Sequence, residues 1–277
     1  MTVAVSCNVS EGVILGVDSA VTISHPEGGV VKIYEHAEKL FQLAQKPIGI
    51  ASFGIGALGA RNIGSFIREF EILNPNKVVT QPSTIKTIVE ELRSFFLQQY
   101  QKTIVPVVEK QKKKKFDEIP NDEKPVLGFV VGGFSHDEYL SEVWEILIPF
   151  HATPNSAKLC RDKGDFGSNW FSLFAPIQRY VKGMDRRLFE ELIKYFTQIR
   201  GSDFTKDEKK KISQILAKYE YQIPFAAMPM QEGVAHVKFL VEMVVNHHRF
   251  AVGAPVVGGE AHIGLVTYKG ENFQILE

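Results

Sequence analysis

The sequence is short of the features that most readily place a chain. It has two cysteines in 277 residues, Cys7 and Cys160, too few for a disulfide framework and without metal-binding spacing. A reducing, cytoplasmic compartment is expected. Neither sign of charge is in excess, because 32 Lys and Arg balance 32 Asp and Glu, so no global field draws nucleic acid or an anionic membrane. No apolar run approaches the ~18 residues of a membrane span. The opening stretch, MTVAVSCNVSEGVILGVDS, lacks the basic and apolar segments of a targeting signal. The eight histidines, among them His247 and His248, have no ligand spacing to acidic or cysteine partners, and no metal is expected. Repeats at solenoid or propeller periods are also missing.

What is present is an ordinary globular composition, 44% hydrophobic and 23% charged, with enough length to bury a substantial core. Thr2 to Val9 alternates as a strand, Ser10-Glu11-Gly12 turns, and Val13 to Val17 returns. After the loop SHPEGGVVKIYEHAE, the segments KLFQLA and IGIASF form a second hairpin, so four strands are expected before the first helix. Helical spacing runs from about Ala57 to Leu73 and from about Ser83 to Glu109. The lysine run Lys112 to Lys115 is followed at once by acidic residues and reads as a solvated loop. VLGFVVGGF and VWEILIPF make another strand pair, and GSNWFSLFAPIQRYVKGMD and RRLFEELIKYFTQI read as helices. A polar helical segment, GSDFTKDEKKKISQILAKYEYQ, looks like an addition to the core. A long helix, MQEGVAHVKFLVEMVVNHHRF, and a closing hairpin end the chain. Tight turns join antiparallel strands. The expected fold is therefore α+β, a four-layer αββα sandwich of two antiparallel sheets flanked by helices.

Gly54, Gly56 and Gly59 stand in the spacing G-x-G-x-x-G after an apolar run, as in a dinucleotide-binding loop. Such a loop needs a strand, helix, strand unit with an acidic residue at the end of the next strand, about 20 positions on. Glu69 and Glu71 lie inside the helical stretch, and NPNKVVTQPST offers only a short strand between prolines. Glycines that turn a strand sharply are the better reading, and no cofactor is expected.

Thr2 carries the chemistry. Methionine ahead of a small residue is routinely removed, and an N-terminal threonine brings its own base, an α-amine with pKa near 7.7 to 8.0. A nearby cation would lower the pKa of both amine and hydroxyl, and a carboxylate would hold that cation. Lys39 and Asp18 can supply these groups.

TVAVSCNVSEGVILGVDSAVT, followed by EKLFQLAQKPIGIASFGIGALGA, resembles the start of a proteasome β-type subunit, in which a threonine precedes a DS pair by sixteen residues, then a lysine opens a strand. Thr2 and Asp18 keep that separation, and Lys39 falls about five residues later than usual, beyond the longer SHPEGGVV loop. VVGGEAHIGLVTYKG resembles the closing hairpin of these proteins, and GSNWFSLFAPIQ the glycine-serine start of a central helix. The resemblance implies one N-terminal-nucleophile (Ntn) hydrolase domain over residues 1–277, with insertions at about 101–125 and 185–228. It implies Thr2 as nucleophile and base, Lys39 as electrostatic partner and Asp18 as its anchor, with Ser168 supporting the amine. Gly54 becomes the candidate oxyanion N–H donor, and Val21, Ala37, Ala51 and Ile55 an apolar substrate pocket. The implied protein is a threonine peptidase acting on peptides or unfolded proteins without metal or organic cofactor, in a homo-oligomeric ring or spiral. No unfoldase partner is named by the sequence. Active members carry an aspartate and a serine ahead of the final paired glycines, where this chain has Ala254 and Val257. That departure keeps open a non-catalytic assembly subunit, and an amide hydrolase acting on a small molecule is a further alternative.

Overall fold

A computed structural model describes residues 2–24, 30–43, 46–74, 84–150, 157–253, 256–268 and 274–276. Met1 and Ala254 lie outside the described residues. The chain opens with β1 (Val3–Val9), β2 (Gly12–Asp18), β3 (Val21–Ser24), β4 (Val30–Tyr34), β5 (Leu40–Gln42), β6 (Ile48–Gly54), β7 (Ala57–Leu58) and β8 (Arg61–Asn62). Helices α1 (Ile63–Leu73), α2 (Ile85–Thr103) and α3 (Val105–Lys112) follow. Next come β9 (Leu127–Gly133), β10 (Glu142–Ile148), β11 (Lys158–Arg161) and β12 (Gly167–Ser172). Then come α4 (Ala175–Lys182), α5 (Arg186–Arg200), α6 (Lys206–Ala217) and α7 (Met230–Phe250), and finally β13 (Ala261–Thr267) and β14 (Gln274–Leu276).

Two five-stranded sheets organise these elements, in the orders β12-β1-β2-β13-β14 and β11-β10-β9-β6-β5. Every pairing within them is antiparallel. Period-two alternation explains how each sheet fills both of its faces. In β1, Val3, Val5, Cys7 and Val9 join a cluster with Val237, Leu240, Val241 and Val244 of α7. Ala4 faces the other way, into a cluster with Val13, Leu15 and Val17 of β2 and with Ala51, Phe53 and Val130 of the second sheet. The second sheet turns Ile48, Ile50, Phe129, Val131 and Ile146 toward Phe66, Phe70, Leu92 and Phe96 of α1 and α2. A side chain at Gly16 would meet Val237 Cγ1 at 2.3 Å, so that glycine lets α7 lie close on β2.

Four expectations change, the first being that eight strands, not four, precede the first helix. Residues 57–62 are not the start of a helix but a small ribbon, β7 with β8, and the helix waits for Asn62, whose side chain accepts from the Ser65 N–H as its cap. The second helical stretch breaks after Thr103, because Pro106 in the first turn of α3 has no N–H and crowds the carbonyl four residues back. GSNWFS is strand β12 rather than helix, and α4 begins only at Ala175, with Pro176 in its first turn. The glycine spacing at 54, 56 and 59 also lacks a dinucleotide-binding frame: β6 is antiparallel to both β5 and β9, and a ribbon, not a helix, follows it. Among the described residues, no helix is long and apolar enough to cross a membrane.

Candidate active site

Antiparallel pairing of β1 with β2 sets Ala4 opposite Val17, which brings Thr2, just ahead of β1, alongside Asp18 at the end of β2. Lys39 arrives from the other sheet, one residue before β5. Its Nζ donates to Thr2 Oγ1 at 2.9 Å, to Asp18 Oδ1 at 2.9 Å and to the Ala20 carbonyl at 2.6 Å. An ammonium has three donors, and these partners account for all of them. Asp18 also accepts from the Val3 N–H at 3.2 Å and the Gly258 N–H at 3.3 Å. The three residues are buried, with Thr2 at 3%, Asp18 at 0% and Lys39 at 5% exposure. Thus the triad read from the sequence is assembled by hydrogen bonds.

Burial sets the electrostatics of the pair. It pushes the Asp18 carboxyl up from its usual range, against the pull of Lys39 and of the Gly258 and Val3 N–H groups. It pulls the Lys39 ammonium down, against the stabilising Asp18 charge. Both shifts weaken charge separation, leaving a lysine that gives up a proton more readily than a solvated one. Ser19 fixes the surroundings: its hydroxyl donates to the Glu35 carbonyl and accepts from the Glu260 N–H at 2.8 Å. The Ala37 N–H bonds the Ser19 carbonyl at 2.8 Å. One residue therefore ties together the chain before Lys39, the end of β2 and the turn after Val257.

Thr2 and Lys39 open onto a cavity of about 1050 Å³. Val21, Ala37 and Ile55, expected at a substrate pocket, line it, and so does Gly54, the expected oxyanion donor. Ala51 does not: it is fully buried between the sheets, and its neighbour Ser52 lines the cavity instead. Successive strand residues point to opposite faces, so a slip of one position accounts for the difference. Ser168 is displaced further. It pairs with Cys7, whereas Ser172 pairs with Val3, and four residues of strand at about 3.3 Å each put Ser168 about 13 Å from that level. Ser172 lines the cavity, and the Leu173 N–H bonds the Thr2 carbonyl at 3.3 Å. Ser172 has φ 63, the left-handed region that non-glycine residues enter rarely. The signals that could have found it are Pro176, which marks a later helix start, and the strand-forming Trp170 and Phe171 before it.

At Gly54 φ is +88, and a side chain there would strike the Val126 carbonyl oxygen at 2.0 Å. The Ser52 N–H bonds the Lys39 carbonyl at 2.8 Å. Alternate N–H groups of a strand point to one edge, so the Gly54 N–H points to the same side, just past Lys39 where β5 has not begun. Val257, flagged by the sequence, is buried in the cluster under α7, and its neighbour Gly258 bonds Asp18 by main chain.

No protein-family model and no curated protein matches this sequence. Solved structures do. Anbu (ancestral beta-subunit) from Yersinia bercovieri aligns over 99% of this chain and 85% of that one, with TM-score 0.54 and 10% identity. An Anbu (Gly-1) mutant from Hyphomicrobium sp. strain MC1 aligns over 100% and 85%, with TM-score 0.51 and 11% identity. At such identity the likeness is one of fold alone.

Proposed function

We propose that the chain is a proteasome-like Ntn hydrolase, a single four-layer αββα domain with insertions at 101–125 and 185–228, which hydrolyses peptide bonds through Thr2. The observation that carries this reading is Lys39 Nζ, which binds Thr2 Oγ1 and Asp18 Oδ1 together in a buried site. Thr2 acts once the Met1–Thr2 bond has been hydrolysed and its α-amine is free. Its Oγ1 attacks the substrate carbonyl while the amine takes the hydroxyl proton, and the Gly54 N–H faces the oxyanion. The C–N bond then breaks, the departing amine leaves with that proton, and an ester on Thr2 is left. Water attacks the ester, again giving its proton to the amine, and the acid is released with Oγ1 reprotonated. Lys39 lowers the cost of charge on Oγ1, and Asp18 holds Lys39 in place. Assembly into a homo-oligomeric ring or spiral belongs to the same reading.

Intact-mass measurement combined with a threonine-directed epoxyketone tests it. The expected result is loss of Met1 and one adduct, absent from Thr2→Ala. A protein that keeps Met1, or an adduct that survives in Thr2→Ala, rules Thr2 out as the nucleophile. A second reading, the non-catalytic subunit, is favoured by Val257 standing in the buried core beside the site, where active family members have a hydroxyl. It predicts no adduct on either protein.

A further inference from the structure

Strand β10 carries an acidic residue where its pattern calls for an apolar one. Trp144, Ile146 and Ile148 face the helices α1 and α2, while Val143 and Leu147 face the space between the sheets. Glu145 falls in phase with Val143 and Leu147, in a cross-strand row with Val130 and Ala51. Its side chain is only 15% exposed. Burying a carboxylate on such a face is costly unless something pairs with it. Its salt-bridge partner, Lys158 Nζ, stands at 3.7 Å and is itself 64% exposed, so the compensation comes from a largely solvated ammonium and is weak.

Glu145 lines the cavity that holds Thr2, and Phe53 and Leu147 line it too. Gly128, paired with Phe53 across the strands, makes room for that ring, which lies 2.1 Å from where a Cβ would stand. The other charged residues of the lining are Lys39, already engaged by Asp18, together with Glu38 and His36 toward the exposed mouth. Apolar lining residues beside a carboxylate suit a side chain with an aliphatic stem and a cationic head.

We propose that the cavity, where Phe53, Leu147 and Glu145 line it, binds a lysine or arginine side chain of the substrate, and that Glu145 makes the protein selective for peptides with a basic residue close to the cleaved bond. This rests on the reading of Thr2 as nucleophile. The ammonium or guanidinium displaces Lys158 from Glu145, its stem covers Phe53 and Leu147, and the exposed Lys158 returns to solvent.

The test uses internally quenched peptides with lysine or leucine scanned through the positions flanking the bond, on protein whose Thr2 labelling by an epoxyketone is measured in parallel. The parent is expected to show a higher kcat/KM for a lysine peptide at one position. Glu145→Gln lowers the lysine-to-leucine ratio about tenfold or more, the scale of a charged hydrogen bond. Lys158→Gln, an exposed change, raises that ratio by removing the competing ammonium. An unchanged ratio in Glu145→Gln, or labelling of Thr2 with no preference for basic peptides in the parent, overturns the inference and leaves the nucleophile standing. Absence of labelling fails the reading of Thr2 itself.

Discussion

Strand β1 has a buried polar cluster at each end, and the two are built on opposite principles. At the Thr2 end an ammonium and a carboxylate meet in full burial, and the cluster opens onto a cavity of about 1050 Å³. At the far end Asn8 donates to the Asp165 carbonyl at 3.2 Å and accepts from the Ser141 hydroxyl at 2.6 Å. Arg161 closes that end from outside, bonding Asn169 Oδ1 at 2.8 Å, the Ser168 carbonyl at 3.2 Å and Asp165 at 2.9 Å. None of these residues lines the large cavity. The buried groups there, Asn8 and Ser141, are neutral and matched to each other, with the Arg161–Asp165 ion pair outside them, and such matching holds strands in register. A charged pair held next to a cavity, with both groups pushed toward neutrality by burial, carries a structural cost, which under the proposed function its chemistry offsets.

Substitutions at the two ends should therefore separate rate from stability. The largest effect is expected for Asp18→Asn, which leaves Lys39 buried without its counter-charge. Stability should fall by about 3–5 kcal/mol, and the rate of Thr2 labelling in the remaining folded protein by about 100-fold, the scale of one removed electrostatic partner. Denaturant unfolding and labelling kinetics read the two separately. Asn8→Ala strands the Ser141 hydroxyl and should cost about 1–3 kcal/mol, with the labelling rate per folded molecule unchanged. A large drop in that rate would mean the two ends are coupled.

The pH profile sharpens the contrast. Labelling should rise as the Thr2 amine loses its proton, near or below about 8 because a neighbouring ammonium lowers its pKa. It should fall again as Lys39 becomes neutral, and since burial pulls Lys39 down from 10.5, that alkaline limb must lie below 10.5. On the acid side, burial raises Asp18 above 3.8, so protonation breaks the pair at a pH above that value. An alkaline limb at or beyond 10.5 would show that Lys39 is not the titrating group. The smallest effect is expected at Ser168, whose hydroxyl is at the Asn8 end of β12: Ser168→Ala should leave the labelling rate within about twofold, because it touches neither reacting atom.

The comparison also explains which parts of the site were legible. Thr2, Asp18 and Lys39 sit at or beside strand ends that local alternation marks, but Lys39 comes from the other sheet, and it is the resemblance to proteasome β-type subunits that groups the three. Ser168 and Ala51 went astray because both depend on register. GSNWFS is polar and aromatic and precedes a true helix, and only its pairing with β1 makes it a strand. That long-range pairing, Val3 with Ser172, leaves no mark in local periodicity. Ala51 and Ser52 are adjacent, and only contact with the opposite sheet decides which faces the core. Two sheets with helical segments were readable from the order of elements, but the ribbon at 57–62 was not, because its strands are two residues each and too short to alternate.

The central claim is that Thr2 Oγ1 is the reacting atom, and the most direct measurement is the mass-spectrometric location of the epoxyketone adduct on the parent protein. A single adduct is expected, on an N-terminal peptide that begins at Thr2. An adduct on any other residue, or no adduct on protein that has lost Met1 and is fully folded, would contradict it.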